Sequence, residues 1–477
     1  MAEMTAHFLI VEDDYEFASA LDAMIVDMPG QAHVTIARSR EAACAALDEQ
    51  FFDFAVLDLK IPTQDDGLDA EPEHGKYVFH HARNTAPGTK LLVLTGSPSD
   101  DFIADMLAQK HDADIWAEGA PVSTVEFLRK IDIDKAPELI AKVKLAVLAL
   151  DDIELTLNQV NLQIAEDRLL RIFAKRLGAR RCVVAPIGEG KSGAKPLRLQ
   201  LFDGNGTPIR QSFAKLGPIA KIQDEAARHD KHVVLLDGAA TPRKLSMLEF
   251  GASTTAGIFY QLADGYTESM FDVLGTDPAR AAAILGGVEQ CVAQWTQGTV
   301  EAGHSIAEIR GCWVEDQKAA ALHADYGLDW AAEFEARVVQ ARWRCVHGDL
   351  HGGNILISAE DGSVLIDYGD VQHSAVSYDP VSLELSVVLQ DNPTLSDAWP
   401  DESACRNWHS IDAYVAESPV EPFIRSCRHW AEATAAGKRE VAASAYAYLL
   451  RQLKYGDTNK PRILALMESV RAYMDAT

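Results

Sequence analysis

The 477-residue sequence predicts an α/β multidomain protein with a doubly wound parallel-sheet domain, a helical linker and a two-lobed α+β domain. Three observations support this prediction. Short apolar runs alternate with helical segments over residues 1–132. Within the linker, residues 133–178, the stretch 137–177 contains no glycine and has a helical spacing of apolar residues. Strand-like runs joined by glycine-rich turns then fill residues 179–265, and helical patterns dominate residues 266–477.

Composition limits the function classes. Hydrophobic residues make up 48% of the chain, which is enough for packed cores, and the net charge of −27 argues against nucleic-acid or anionic-membrane partners. No apolar run reaches the ~18 residues of a membrane span, and the first residues lack a signal-peptide pattern, so we expect a cytoplasmic protein. The seven cysteines are scattered without a C-x-x-C pair, which predicts reduced thiols.

Polar residues stand at the predicted carboxyl ends of three strands near the amino terminus. Glu12 and Asp13 follow the run HFLIV, Asp58 follows FDFAVL, and Thr95 closes KLLVL. In parallel sheets covered on both faces, ligands bind at this edge. Gathered carboxylates suit Mg²⁺, and Asp58 has the chemistry of a nucleophile toward phosphate.

These runs, LIVEDD, VLDLKIP and LVLTG, resemble those of two-component receiver domains, over residues 5–132. The resemblance implies a flavodoxin-like fold and a partner histidine kinase. It implies that Glu12 and Asp13 help to hold Mg²⁺. It also implies that Asp58 accepts the phosphoryl group and that Thr95 is the switch residue that contacts it.

One element is predicted to depart from the receiver pattern. Receivers carry a lysine after the fifth strand, and the sequence predicts that strand and its loop in DADIWAEGAPVS. Glu118, Gly119 or Ala120 would then replace the lysine, and the loop after Asp58 is long and acidic. Two alternatives stay open: an active phosphoacceptor, or a pseudo-receiver used for docking or dimerisation.

The linker has a 3-4-3-4 spacing of apolar residues, which predicts a helix with a coiled-coil seam. The seam consists of Val143, Ala146, Leu150, Ile153, Leu157, Val160 and Ile164. Other leucines lie off the seam. The helix therefore either forms a homodimer through residues 137–177 or packs against a domain of its own chain.

A glycine-rich stretch, APIGEGKSGAK, spans residues 185–195. It ends like a phosphate-binding P-loop, but Ala185 stands where that motif needs its first glycine. A strand-like run follows, whereas a P-loop enters a helix, so the sequence favours a hairpin that covers ATP phosphates. The residues of this loop are Gly188, Gly190, Lys191, Ser192 and Gly193.

The strongest chemical signal is VHGDLHGGNILI, residues 346–357, followed by VLIDYGD, residues 364–370. Phosphoryl transfer needs a carboxylate beside the attacking hydroxyl and oxygen ligands that hold Mg²⁺ on the phosphates. Asp349 can do the first task, and Asn354 and Asp367 can do the second.

The two motifs resemble the protein-kinase-like fold, and more closely its aminoglycoside phosphotransferase and choline kinase branch, over residues of about 180–400. The resemblance implies ATP and Mg²⁺ as cofactors and adds Asp370 to the metal ligands. It also implies a strand lysine that pairs with ATP phosphates and a helix acid that positions it. Lys215 in SFAKLG and Glu225 in IQDEAARH fit these roles.

Three nearby residues have less direct roles. Asp379 is predicted to cap a helix or brace the lower lobe. His347 is predicted to be a buried histidine that orients the loop. For His351 the sequence leaves contact with the substrate open.

The sequence thus predicts an ATP- and Mg²⁺-dependent phosphotransferase that acts on a small-molecule hydroxyl and is regulated by its receiver-like domain. We expect neither a nucleic-acid nor a membrane partner, and the phosphoacceptor is not identified. Two alternatives stay open. One is a non-catalytic signalling adaptor with a pseudo-receiver and a nucleotide-binding pseudokinase, and the other is a kinase that acts on a protein.

Overall fold

The computed structural model describes residues 4–96, 100–187, 194–238, 241–262, 265–296, 298–389 and 399–477. The chain divides into two compact units. Unit 1 comprises Met1–Gln223 and Lys244–Leu262, and unit 2 comprises Asp224–Arg243 and Ala263–Thr477. The domain boundaries drawn from the sequence stay predictions.

Unit 1 begins with strands and helices in alternation. They are β1 (Thr5–Val11), α1 (Tyr15–Asp27), β2 (Gln31–Ala37), α2 (Arg40–Glu49), β3 (Phe54–Leu57), α3 (Pro72–Thr85), β4 (Lys90–Thr95), α4 (Asp100–Ala108), β5 (Asp112–Ala113), β6 (Val122–Ser123) and β7 (Val125–Arg129). Within the described residues, one parallel sheet has the order β2-β1-β3-β4-β7. This doubly wound, flavodoxin-like order confirms the predicted fold class.

The fifth strand of this sheet differs from the prediction. The segment DADIWAEGAPVS holds the small antiparallel hairpin of β5 and β6, and β7 is the strand that pairs with β4. Ile115 and Trp116, the apolar centre of the segment, lie in a turn, and their side chains are buried. A short apolar run does not distinguish a buried turn from a strand, which explains the error.

The coiled-coil prediction is also wrong. After a 3-10 segment at Lys130–Lys135, the linker forms α5 (Ala136–Leu148), a second 3-10 segment, β8 (Glu154–Leu157) and α6 (Ile164–Arg176). The seam residues Val143, Leu150 and Ile153 are buried in the core of unit 1. These residues are covered by the same chain, whereas Leu157 and Ile164, in the later part of the predicted seam, are exposed.

The second sheet of unit 1 starts with β8. Its further strands are β9 (Arg181–Pro186), β10 (Lys195–Phe202), β11 (Pro208–Pro218), β12 (Arg243–Leu248) and β13 (Thr255–Gln261), and α7 (Ile219–His232) follows β11. The order among the described residues is β12-β13-β11-β10-β9-β8. β8, from the linker, pairs in parallel with β9, and the linker is therefore part of this sheet.

A continuous core joins the two sheets of unit 1 through α6. Phe173 on α6 stacks on Phe259 of β13, with ring centroids 3.9 Å apart. On the receiver-like side of α6, the buried Arg168 donates from Nε to Asp53 Oδ1 at 2.9 Å. Backbone bonds between Gly88 and the turn before β13 add a second connection. The receiver-like sheet and the strand-rich lobe are therefore packed as one body.

Unit 2 is mainly helical. Its elements are β14 (Tyr266–Ser269), α8 (Met270–Thr276), α9 (Pro278–Thr296), β15 (Val300–Ser305), α10 (Ile306–Gly311), α11 (Asp316–Asp325), α12 (Ala331–Glu335), β16 (Val338–Val346), β17 (Ile355–Ser358), β18 (Ser363–Leu365), β19 (Gln372–Ala375), α13 (Tyr378–Leu389), α14 (Glu402–Cys405), α15 (Ile411–Tyr414), α16 (Glu421–Thr434), α17 (Lys438–Leu453) and α18 (Lys460–Ala476). Two small sheets, β14-β17-β18 and β15-β16-β19, lie beside these helices. In the described part of the chain, no helix combines the length and apolar character needed to cross a bilayer.

The Arg168–Asp53 pair gives a stability prediction. Arg168→Met leaves the Asp53 carboxylate buried without its cation, which costs about 3–5 kcal/mol of unfolding free energy. Urea unfolding would measure this loss. The control is Arg180→Met, which removes an exposed pair with Asp152 and costs at most about 1 kcal/mol. Equal losses in the two variants would contradict an anchoring role for Arg168.

Candidate functional site

The acids predicted at the sheet edge do come together. Ligand atoms of Glu12, Asp13 and Asp58 lie within 4.8 Å of one another. β1 pairs with β3, so the residues that follow these two strands are neighbours at the carboxyl edge. Thr95 ends β4, the next strand in the sheet. A set of carboxylate oxygens fits Mg²⁺, so Glu12, Asp13 and Asp58 are the residues that would hold it.

A lysine completes this acidic site, which corrects the sequence prediction. Lys130 directly follows β7, and its Nζ lies 2.7 Å from Asp58 Oδ2 and 2.8 Å from Glu12 Oε2. The prediction that Glu118, Gly119 or Ala120 replaces the lysine is therefore wrong. It rested on the misassigned fifth strand. Glu118 and Gly119 instead lie in an exposed turn, where their N–H groups bond the Asp114 carboxylate.

Burial and the close contact of Lys130 with Glu12 and Asp58 shift the pKa values of the acidic site. Burial raises the pKa of Glu12 to about 7, although the hydrogen bond from Lys130 opposes the rise. Burial lowers the pKa of Lys130, but its bonds with Asp58 and Glu12 outweigh this and raise the pKa above its ordinary value. The lysine is therefore charged at neutral pH, as a cation that binds a phosphoryl group must be.

In unit 2, the loop between β16 and β17 gathers the residues predicted for phosphoryl transfer. β17 and β18 pair antiparallel, and the Ile366 N–H donates to the Asn354 carbonyl at 3.0 Å. Asp367 is therefore brought beside Asn354, and its φ of +65° is unfavourable for a side chain with a Cβ. The Asn354 amide donates to the Asp349 carbonyl at 2.9 Å. Its side-chain oxygen has the chemistry of a Mg²⁺ ligand.

Asp379 braces the start of this loop. Its carboxylate accepts the N–H groups of His347 at 2.7 Å and Gly348 at 3.0 Å. Burial raises the pKa of Asp379, against the effect of His347 and of these backbone donors. The prediction for His347 is confirmed, because the residue is buried and its Nε2 lies 3.0 Å from the Ile366 carbonyl.

His351 is held in one orientation. Its Nδ1 accepts the Gly353 N–H at 3.1 Å, and its ring stacks on Phe271 at a tilt of 14°. The other ring nitrogen, Nε2, lies 3.9 Å from Asp349 Oδ2. Burial lowers the pKa of His351, although Asp349 opposes this, so the neutral ring fits its place in the loop.

Sequence reasoning missed Arg451 on α17. Its Nη1 donates to the Gly348 carbonyl at 2.6 Å, and its Nη2 donates to Asp370 Oδ2 at 2.6 Å. The same Nη2 lies 3.3 Å from Asp349 Oδ1. The one available signal was an arginine inside the buried run AYAYLLRQL, since a buried guanidinium requires a partner.

The two predicted ATP-binding residues outside the glycine loop, Lys215 and Glu225, belong to different units of the chain. Lys215 is buried on β11, opposite Ile258 of β13 in unit 1. Glu225 is buried on α7 and belongs to unit 2, so their pairing stays a prediction. The predicted loop residues Gly188, Gly190, Lys191, Ser192 and Gly193 lie outside the described residues. β9 and β10, which flank them, pair antiparallel, so the stretch joins two strands and the P-loop alternative is excluded.

Comparison with known proteins identifies one family domain. Residues 279–414 match the phosphotransferase enzyme family (APH), and this stretch contains Asp349, Asn354, Asp367 and Asp370. The matched stretch lies in unit 2. None of the curated proteins matches the chain.

The chain is also similar to solved structures. One is a CheY-like response regulator receiver domain protein from Methanospirillum hungatei JF-1, at 20% identity over 29% of this chain and 96% of that chain, with a TM-score of 0.22. Another is the signal receiver domain of an HD domain-containing protein from Pseudomonas fluorescens Pf-5, at 19% identity over 30% and 98%, with a TM-score of 0.23. A third is the apo form of a thermostable mutant of aminoglycoside phosphotransferase APH(4)-Ia, at 13% identity over 61% and 94%, with a TM-score of 0.35.

Lys130 gives a prediction for the acidic site. We expect acetyl phosphate and Mg²⁺ to phosphorylate the wild type and not Asp58→Asn. Lys130→Met should slow labelling on the order of tenfold to hundredfold, because a positioned cation stabilises the transferring group. Intact-mass spectrometry over time measures the labelling.

The control for this prediction is Lys142→Met on α5, since Lys142 is exposed and pairs with the exposed Glu138 at 2.7 Å. It should label like the wild type. Labelling that persists in Asp58→Asn would contradict the assignment of the phosphoacceptor.

Proposed function

We propose that this chain is an ATP- and Mg²⁺-dependent phosphotransferase that phosphorylates a small-molecule hydroxyl and is regulated by its receiver-like region. The observation that carries the proposal is the loop 347–354 in the phosphotransferase-family stretch. It holds Asp349 next to Asn354, and strand pairing brings Asp367 beside them. A carboxylate together with two oxygen ligands is the set that phosphoryl transfer requires.

In the proposed mechanism, Asp349 orients the acceptor hydroxyl and receives its proton. A third of the Asp349 side chain is exposed, so an acceptor can reach it. Asn354 and Asp367 would hold Mg²⁺, and Lys215 and Glu225 would position the phosphates. When bound, Mg²⁺-ATP supplies the γ-phosphoryl group and the charge neutralisation that favours its transfer.

Substitution of the acids tests the catalytic proposal. Asp349→Asn should lower ATP turnover about 10²- to 10⁴-fold, because the carboxylate that orients the nucleophile is lost. Asp367→Asn should also weaken binding of the Mg²⁺ complex of AMP-PNP, a non-hydrolysable ATP analogue. Coupled-enzyme assays and calorimetry give the two measurements.

The matched control for both acids is Asp361→Asn, an exposed acid that pairs with Arg280 in the same hairpin region. It should leave turnover and binding unchanged. Equal background turnover in the wild type, Asp349→Asn and Asp367→Asn would favour the signalling adaptor. If the wild type is active and both variants are not, a screen of candidate acceptors by ATP consumption would identify the substrate class.

The proposed regulation follows the chain from the acidic site. Lys130 contacts Asp58 and starts the 3-10 segment that leads into α5. Lys144 on α5 is buried and donates to the carbonyls of Ile25 at 2.8 Å and Met28 at 2.7 Å. α5 leads in turn to β8, an edge strand of the sheet that carries Lys215. A change at Asp58 would thus be transmitted through Lys130 and α5 to that sheet.

Hydrogen exchange tests this route. Beryllofluoride with Mg²⁺ mimics the phosphorylated acid and should slow amide exchange across residues 130–157 of the wild type, because the mimic adds a further anionic partner to those that Lys130 already has. Asp58→Asn, which loses the phosphoacceptor carboxylate, should show no change. Slower exchange that stops at the acidic site and never reaches β8 would argue against this route.

A further inference from the structure

Arg451 makes three contacts that connect the loop around Asp349 with the segment that follows Asp367. Its guanidinium reaches the Gly348 carbonyl just before Asp349, the Asp349 carboxylate itself, and Asp370 three residues after Asp367. An arginine fork is planar and rigid, so it fixes the separations of the groups that it binds. A lysine in the same place would act as a point charge without this geometry.

The guanidinium is itself held firmly. Only 8% of the Arg451 side chain is exposed, whereas 33% of Asp349 and 47% of Asp370 are exposed. Its Cζ lies 5.8 Å from the Trp313 ring centroid. Trp313 in turn stacks on Tyr378, with ring centroids 3.9 Å apart. Tyr378 directly precedes Asp379, the residue that braces the loop. The arginine is therefore packed into the wall of the site, with the two acids at its outer side.

Asp370 was predicted as a metal ligand from the family resemblance. In the structure its Oδ2 accepts a hydrogen bond from Arg451 at 2.6 Å, a short charge-assisted contact. A buried guanidinium needs a counter-charge, and Asp370 supplies it. We propose that Arg451 is a positioning residue that fixes Asp349 for the transfer reaction, and that Asp370 is its counter-ion and not a Mg²⁺ ligand.

This inference rests on the proposed phosphotransferase function. Arg451→Ala should lower kcat for ATP turnover about tenfold to hundredfold, because Asp349 is no longer held in place. The dissociation constant of Mg²⁺-AMP-PNP, measured by calorimetry, should stay within about twofold, since no metal ligand is lost. Millimolar guanidinium should restore part of the lost kcat in Arg451→Ala. Arg451→Lys should stay impaired.

Asp370→Asn separates the two roles of that acid. It should lower kcat while leaving the affinity for Mg²⁺-AMP-PNP within about twofold of the wild type, whereas Asp367→Asn should weaken that affinity. Weakened binding in Asp370→Asn to the extent seen in Asp367→Asn would restore Asp370 as a metal ligand and overturn the inference.

The matched control for Arg451 is Arg428, a buried arginine on α16 that binds Glu384 and lies over Trp408. Arg428→Ala should reduce stability without a kcat loss that guanidinium rescues. If both alanine variants lose kcat equally and neither is rescued, Arg451 has only a structural role. Should Arg451→Ala fail to fold, Arg451→Lys and Asp370→Asn give the same comparison. A wild type that neither binds Mg²⁺-AMP-PNP nor turns over ATP would instead overturn the proposed function and this inference with it.

Discussion

The geometry of the phosphotransfer loop depends on the buried carboxylate of Asp379. Two backbone N–H groups, of His347 and Gly348, point at it, and a buried carboxylate without such donors would be costly. Gly348 meets this requirement with φ of +80°, and a Cβ there would lie 2.4 Å from the Asp370 carbonyl oxygen. The loop is thus fixed at its start by Asp379, and its Asn354 carbonyl accepts the N–H of Ile366, which precedes Asp367. Asp349 follows directly from this fixed turn.

Local patterns were enough to predict much of both sites. The acids Glu12, Asp13 and Asp58 follow apolar runs that become neighbouring parallel strands, so their meeting was a consequence of the sheet order. Asp349, Asn354 and Asp367 lie on one loop and one hairpin, within twenty residues or so of each other along the chain. In these cases the distance in sequence is short or the strand pairing is regular. The positions of these residues along the sequence were therefore enough to predict that their side chains meet.

The two cations of the sites could not be found in the same way. Lys130 follows β7, which is partly exposed and has a weak apolar pattern. The sequence instead favours the more apolar segment that contains Ile115 and Trp116, two residues that lie in a turn with buried side chains. Arg451 lies about a hundred residues after the loop that it binds, and no local pattern relates the two. Each cation reaches its acids through tertiary packing. Such contacts depend on how helices and sheets are arranged and leave no periodic trace in the sequence.

Unit 1 offers two physical connections between the acidic site and α6, and they differ in how readily they can move. β3 connects Asp53, which binds Arg168, to Asp58, and all four residues of the strand are buried. A close-packed strand cannot shift without repacking its surroundings. The segment that begins at Lys130 is different, because Ile131 is 88% exposed and no residue of the 3-10 turn is buried. In the proposed regulation, a change in charge at Asp58 would act on this segment first, since Lys130 is bonded to the acid. In that proposal the buried strand β3 stays fixed, and the segment that leads into α5 is the part that responds.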